Sequence, residues 1–192
     1  MTRASVHPIE QESFAVLRSR VDTSALPPLT RAVVERVVHA SADLDYVTDL
    51  VTDEAALRAG QAALLAGAPV VADVQMVAAD ITSRDVVCRV RDVLGSAGLT
   101  RSAAAVRTAY DEVGPGAVWV VGCAPTALFE LMALDVRPAL VVGLPVGFVG
   151  AAESKAALRA SGLPQVSNVS EKGGSAVAAA ALNALLYTDV PA

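Results

Sequence analysis

Apolar positions along the second half of the chain come in short unbroken runs, and the runs alternate with stretches of helical spacing. Residues 139–142 are apolar without alternation, which predicts a strand buried on both faces. A loop with Gly143, Pro145, Gly147 and Gly150 follows, and the Ala-rich stretch beyond it predicts a helix closed at Gly162. The same reading predicts strands at 70–74, 86–90, 117–122 and 165–169, with 86–90 nearer an edge because Arg89 interrupts it. Helices are predicted between them: a brief one at 76–80, one at 101–112 ended by Gly114-Pro115-Gly116, one from Thr126 to about Leu134, and one from Ser175 to about Tyr187. The first third reads as helical. Pro8 opens a helix to about Val21, with Ile9, Phe14, Leu17 and Val21 at helical spacing. A second, 29–40, carries a stripe of Leu29, Val33 and Val37 beside Val34 and Val38, and a third starts at Thr52-Asp53-Glu54 and stops at Gly67.

Strands alternating with helices imply an α/β fold, a three-layer flavodoxin-like parallel sheet of about five strands in the order 2-1-3-4-5. Helices cover both faces and a helical N-terminal extension packs alongside. In such sheets ligands bind beyond the carboxyl ends of the strands. Several helix N-termini meet there, each with unpartnered N–H groups and the positive end of a dipole, so that edge suits a ligand with several carboxylates.

Composition narrows the class. The 192 residues are 54% hydrophobic and only 4% aromatic, so the core is expected from Ala, Val and Leu within one domain spanning 1–192. A formal charge of −5 with no basic run argues against nucleic acid. Cys88 and Cys123 form no metal-ligand spacing and read as buried free thiols of a reducing compartment. The first eight residues hold no apolar leader segment, and no stretch reaches the length of a membrane span, so a soluble cytoplasmic protein is expected.

Candidate chemistry is sparse. Of two histidines, His7 lies near the start beside Pro8, and His39 lies near the end of the second helix. A helix C-terminus favours imidazolium, which would let His39 act as an acid; a surface or capping histidine is the other reading. Thr100, Arg101 and Ser102 start a helix, where a hydroxyl caps it and the guanidinium either grips a carboxylate or stays solvated. Glu153, Ser154 and Lys155 are open to the same two readings. The glycine loop through Gly143, Gly147 and Gly150 fits neither common nucleotide signature, and His, Cys and carboxylate positions form no metal cluster.

Taken in order, these segments resemble the precorrin-8X methylmutase family over nearly the whole chain. The match rests on Glu12-Ser13-Phe14 with Arg18, Arg36-Val37-Val38-His39-Ala40, Asp73-Val74-Gln75-Met76-Val77, and Thr100-Arg101-Ser102-Ala103-Ala104. It rests most on Ala124-Pro125-Thr126-Ala127-Leu128-Phe129, on Pro145-Val146-Gly147-Phe148-Val149-Gly150-Ala151-Ala152-Glu153-Ser154-Lys155, and on Gly173-Gly174-Ser175-Ala176. The resemblance implies a cytoplasmic homodimer without metal or organic cofactor. It implies an isomerase of cobalamin biosynthesis that moves a methyl group from C-11 to C-12 of a tetrapyrrole. His39 matches the family's acid at the ring C nitrogen, and Ser13 a substrate-contacting serine. Ser13, Thr100, Arg101, Ser102, Gly147 and Lys155 form the expected substrate-binding set, with His39 as the catalytic residue. The chain departs from the pattern at Cys123 (commonly Asn), at Asp80 (commonly Gly), in a shortened 81–90 segment, and at 167–172, where arginines are missing and Lys172 is expected to substitute in part. A non-catalytic tetrapyrrole carrier and a nucleotide-binding domain are the competing readings.

Overall fold

The computed structural model describes residues 7–95 and 98–188; of the first eight residues, expected to hold no apolar leader segment, 1–6 lie outside them. The chain opens with α1 (Pro8–Arg20), α2 (Pro28–Ser41) and the short α3 (Tyr46–Asp49), which runs into β1 (Leu50–Thr52). Then come α4 (Glu54–Leu65), β2 (Val70–Ala72), α5 (Gln75–Asp80), β3 (Val86–Val87) and α6 (Arg101–Val113). The last third holds β4 (Val118–Val121), α7 (Pro125–Ala133), β5 (Leu140–Gly143), α8 (Ala151–Ala160), β6 (Gln165–Asn168) and α9 (Ser175–Tyr187).

The sheet has six strands in the order β1-β6-β5-β4-β2-β3, not five. Five are parallel and keep the expected 2-1-3-4-5 arrangement; the sixth, β1, adds to the outer edge antiparallel to β6. Its three half-buried residues, Leu50, Val51 and Thr52, are too few for any periodicity to register in the sequence. β3 is the opposite edge, as Arg89 suggested, but only two residues long.

The two faces of the sheet divide the core. Val70, Ala72, Val118, Val120, Leu140 and Val142 face one cluster with α2, α4, α5 and α9, while Val71, Trp119, Val121 and Val141 face the other with α6, α7 and α8. Strands buried on both sides need the unbroken apolar runs that the sequence shows. The stripe on α2 holds: Leu29, Val33, Val34, Val37 and Val38 are all buried. That on α1 holds only in part, since Ile9 is exposed. His7 belongs to structure after all, as the cap of α1, its Nδ1 accepting from the Ile9 amide at 3.2 Å. No helix among the described residues is long and apolar enough to cross a membrane.

Candidate functional site

His39 stands in the last turn of α2, which the left-handed Ala42 (φ 53°) terminates. Val37 and Val38, its neighbours in sequence, are buried, so the helix carrying the imidazole is fixed by the core. Across from it, α1 brings Ser13, whose Oγ lies 2.7 Å from His39 Nδ1. Phe14 stacks on the imidazole with ring centroids 4.9 Å apart and planes 14° off parallel. A ring held by stacking on one face and by a hydrogen bond at Nδ1 has little rotational freedom, and a hydroxyl donating to Nδ1 leaves Nε2 to carry the N–H.

Two shallow cavities meet at His39. One, of about 260 Å³, is shared with Arg36, Asp80, Asn183 and the small residues Ala176, Ala179 and Ala180 on α9. The other, of about 110 Å³, is shared with Ser13, Arg20, Val38 and Leu44. Both are smaller than the roughly 300–1,000 Å³ of enclosed small-molecule sites, so a large ligand would lie across them rather than within. Ala176 is in the first turn of α9, which places His39 beside one helix N-terminus of the sheet's carboxyl edge. Asp80, the departure from the family glycine, brings a carboxyl side chain to that cavity.

Beneath this surface lies a cluster that sequence reasoning missed. Glu35 is buried, and its carboxylate accepts from Arg18 Nε (3.1 Å) and Nη2 (2.6 Å), Arg31 Nε (2.8 Å) and Thr23 Oγ1 (2.6 Å). Burial acts to raise the Glu35 carboxyl, but the hydrogen bonds from Arg18, Thr23 and Arg31 outweigh it and bring it down to about 2. The one sequence signal is the i,i+4 spacing of Arg31 and Glu35; Arg18 and Thr23 come from other elements.

The carboxyl edge of the sheet is laced by polar contacts. Asp73, just past β2, is buried and receives the amides of Gly122, Cys123 and Ala124 at 2.9–3.0 Å, which sets the path of the chain into α7. Thr100 caps α6 by accepting from the Ala103 amide, and its hydroxyl meets that of Thr126 at 2.7 Å, tying the starts of α6 and α7. Arg101 beside it is exposed, and no described residue accepts a hydrogen bond from it; Ser102 is half-buried. These three residues start a helix on the opposite face of the sheet from α2, so the structure does not group them with His39.

Gly147 is in the loop after β5, where its amide donates to the Glu171 carbonyl. Gly173 (φ +154°) allows the loops after β5 and β6 to touch: a Cβ there would lie 2.3 Å from the Leu144 carbonyl oxygen and 2.6 Å from that of Pro145. The tip of the β5 loop is apolar and open, with Phe148 96% and Val149 90% exposed.

Lys155 is not solvated, as one reading had it. The side chain is fully buried, and Nζ donates to Asn168 Oδ1 (2.8 Å) and the Lys172 carbonyl (2.6 Å). Burial pushes its ammonium down to about 8. In this arrangement it is a strut of the loop after β6. The same loop is gripped by Asp49, which accepts from Asn168 Nδ2, the Ser170 hydroxyl and the Val169 and Ser170 amides. Lys172, expected to stand in for missing arginines, is engaged with Asp43 (2.8 Å) and Asp45 (2.6 Å). Cys88 is buried and Cys123 half-buried; burial pushes both thiols up, away from reactivity. Among the described residues, no three His, Cys, Asp or Glu side chains converge as a metal site.

Comparison with known proteins shows the family of the chain. A family model described as Precorrin-8X methylmutase matches residues 8–188. A precorrin-8X methylmutase of Pseudomonas aeruginosa is 42% identical, covering 92% of this chain and 93% of its own. A cobalt-precorrin-8 methylmutase of Salmonella typhimurium is 40% identical, with 93% of each chain covered. Among solved structures, a precorrin-8X methylmutase from Thermus thermophilus superposes with a TM-score of 0.84 at 35% identity, covering 94% of this chain and 96% of that one.

Proposed function

The chain belongs to the precorrin-8X methylmutase family, and on that premise we propose that it is an isomerase of corrin biosynthesis with His39 as its acid. The substrate is a carboxylate-bearing tetrapyrrole, precorrin-8X or its cobalt counterpart. The methyl group migrates with its bonding pair from C-11 to C-12, so one C–C bond breaks, one forms, and no atom is gained or lost. His39 Nε2–H donates to the ring C nitrogen. This draws electron density from the accepting carbon and stabilises the charge that develops during migration. Ser13 holds the ring through Nδ1, and Phe14 holds its plane.

The observation that carries this reading is the Ser13–His39 pair, 2.7 Å apart and stacked on Phe14 at the edge of an open cavity floored by small α9 residues. The same reading includes a homodimer in the cytoplasm, with a second copy covering the macrocycle. Thr100, Arg101, Ser102 and Gly147 belong to the carboxyl edge and would meet acid arms that reach past α9.

The test is a spectral assay with excess precorrin-8X. Substoichiometric protein converts it, and His39→Ala lowers kcat by about a hundredfold to a thousandfold, the usual cost of one transition-state donor, while still binding the product. Wild-type activity in His39→Ala would refute the acid role. Stoichiometric binding without conversion by the wild type would make the protein a carrier instead.

A further inference from the structure

A third cavity, of about 460 Å³, is lined by Phe14 and runs between α1 and α2 with Arg18, Arg31, Glu35, Arg36 and Thr188 in its lining. The lining carries three guanidiniums against a single carboxylate. That carboxylate, Glu35, is already saturated from within, which fixes the arginines without using all their donors. Arg31 gives Glu35 only Nε, and neither of its terminal nitrogens finds an acceptor among the described residues. Arg36 gives Nη2 to Glu10, which lies outside the lining, and its Cζ lies over two rings, 5.7 Å from the Phe14 centroid and 5.6 Å from that of Tyr187. Arg18 lies over the Phe14 ring at 5.6 Å.

Two residues link the cavity to His39: Phe14 stacks on the imidazole and lines this groove, and Arg36 lines both the groove and the 260 Å³ cavity. An excess of positive charge on preformed forks, in a chain of net charge −5, is a site for a planar anion such as a carboxylate. Resting on the methylmutase reading, we propose that the α1–α2 groove anchors one carboxylate arm of the tetrapyrrole, with Arg31 and Arg36 as its charged contacts, and so sets which ring nitrogen reaches His39.

The experiment titrates the corrin product with free carboxylates, and separately its fully methylated ester, into wild type, Arg31→Gln, Arg31→Lys and Arg36→Gln, following the visible spectrum. Each Gln variant should bind the free acid about ten- to a hundredfold more weakly, the usual loss for a hydrogen bond to a charged group. Arg31→Lys should recover part of that loss. The ester should bind wild type and variants alike, which separates a lost anion contact from general loosening of α1. Equal affinity of all four proteins for the free acid overturns the assignment while leaving the methylmutase reading intact. So does an equal loss for acid and ester. A wild type that neither binds nor converts the tetrapyrrole sinks the parent reading and takes the groove with it.

Discussion

Glu35 shows how much of this surface rests on one buried side chain. Its folded carboxyl is depressed to about 2 from an ordinary 4.5, so the stability it contributes is fully present above pH 4.5 and is lost as pH falls toward 2. A shift of that size corresponds to about 3 kcal/mol. Glu35→Gln should therefore lower the urea unfolding free energy at pH 7 by about that amount, with the gap between variant and wild type closing below pH 4; a gap unchanged from pH 7 to pH 3 would count against the ion cluster. His39 was legible in the sequence because only two histidines exist and one terminates an apolar-striped helix. Glu35 was not, because nothing along the chain announces that Arg18 and Thr23 converge on it from another helix and a turn. Lys155 misled for a related reason: a lysine in a first helical turn reads as solvated, and only the fold shows Asn168 and the Lys172 carbonyl waiting for it.

Among the elements, the strands were the most readable, since a parallel sheet covered on both faces demands unbroken apolar runs. β1 escaped because a three-residue edge strand has neither length nor pattern. The loops depend on single glycines in a way the sequence only hints at. Gly173→Ala must push apart the β5 and β6 loops, since no side chain yields when the clash is with two backbone carbonyls. Gly162→Ala, at φ +74° with nothing within 4 Å of its Cβ, meets only local backbone strain. Thermal melts should show Gly162→Ala costing about 1 kcal/mol and Gly173→Ala clearly more, with corrin binding weakened in the second alone. Equal destabilisation would mean the two loops are not in tight contact.

At the scale of the whole molecule, both apolar clusters share one sheet, and the chain from 1 to 192 is expected to unfold as one domain. If a second copy covers the open site, calorimetry should give a single transition whose midpoint rises with protein concentration, and sedimentation a mass twice 19.6 kDa. A concentration-independent midpoint and a single-chain mass would retire the dimer. The outward Phe148 and Val149 make that tip the first place to look for the contact.

The pairing of Leu50, Val51 and Thr52 with Asn168, Ser167 and Val166 has a consequence for how such a protein can be taken apart. The helices before Leu50, which carry His39, are stitched to the last strand, and Asp49 knots the seam. In a nascent chain β1 therefore has no partner strand until β6, late in the sequence, has been made. A gene split after the third helix would leave α1, α2 and α3 in a fragment that β1 no longer ties to the sheet.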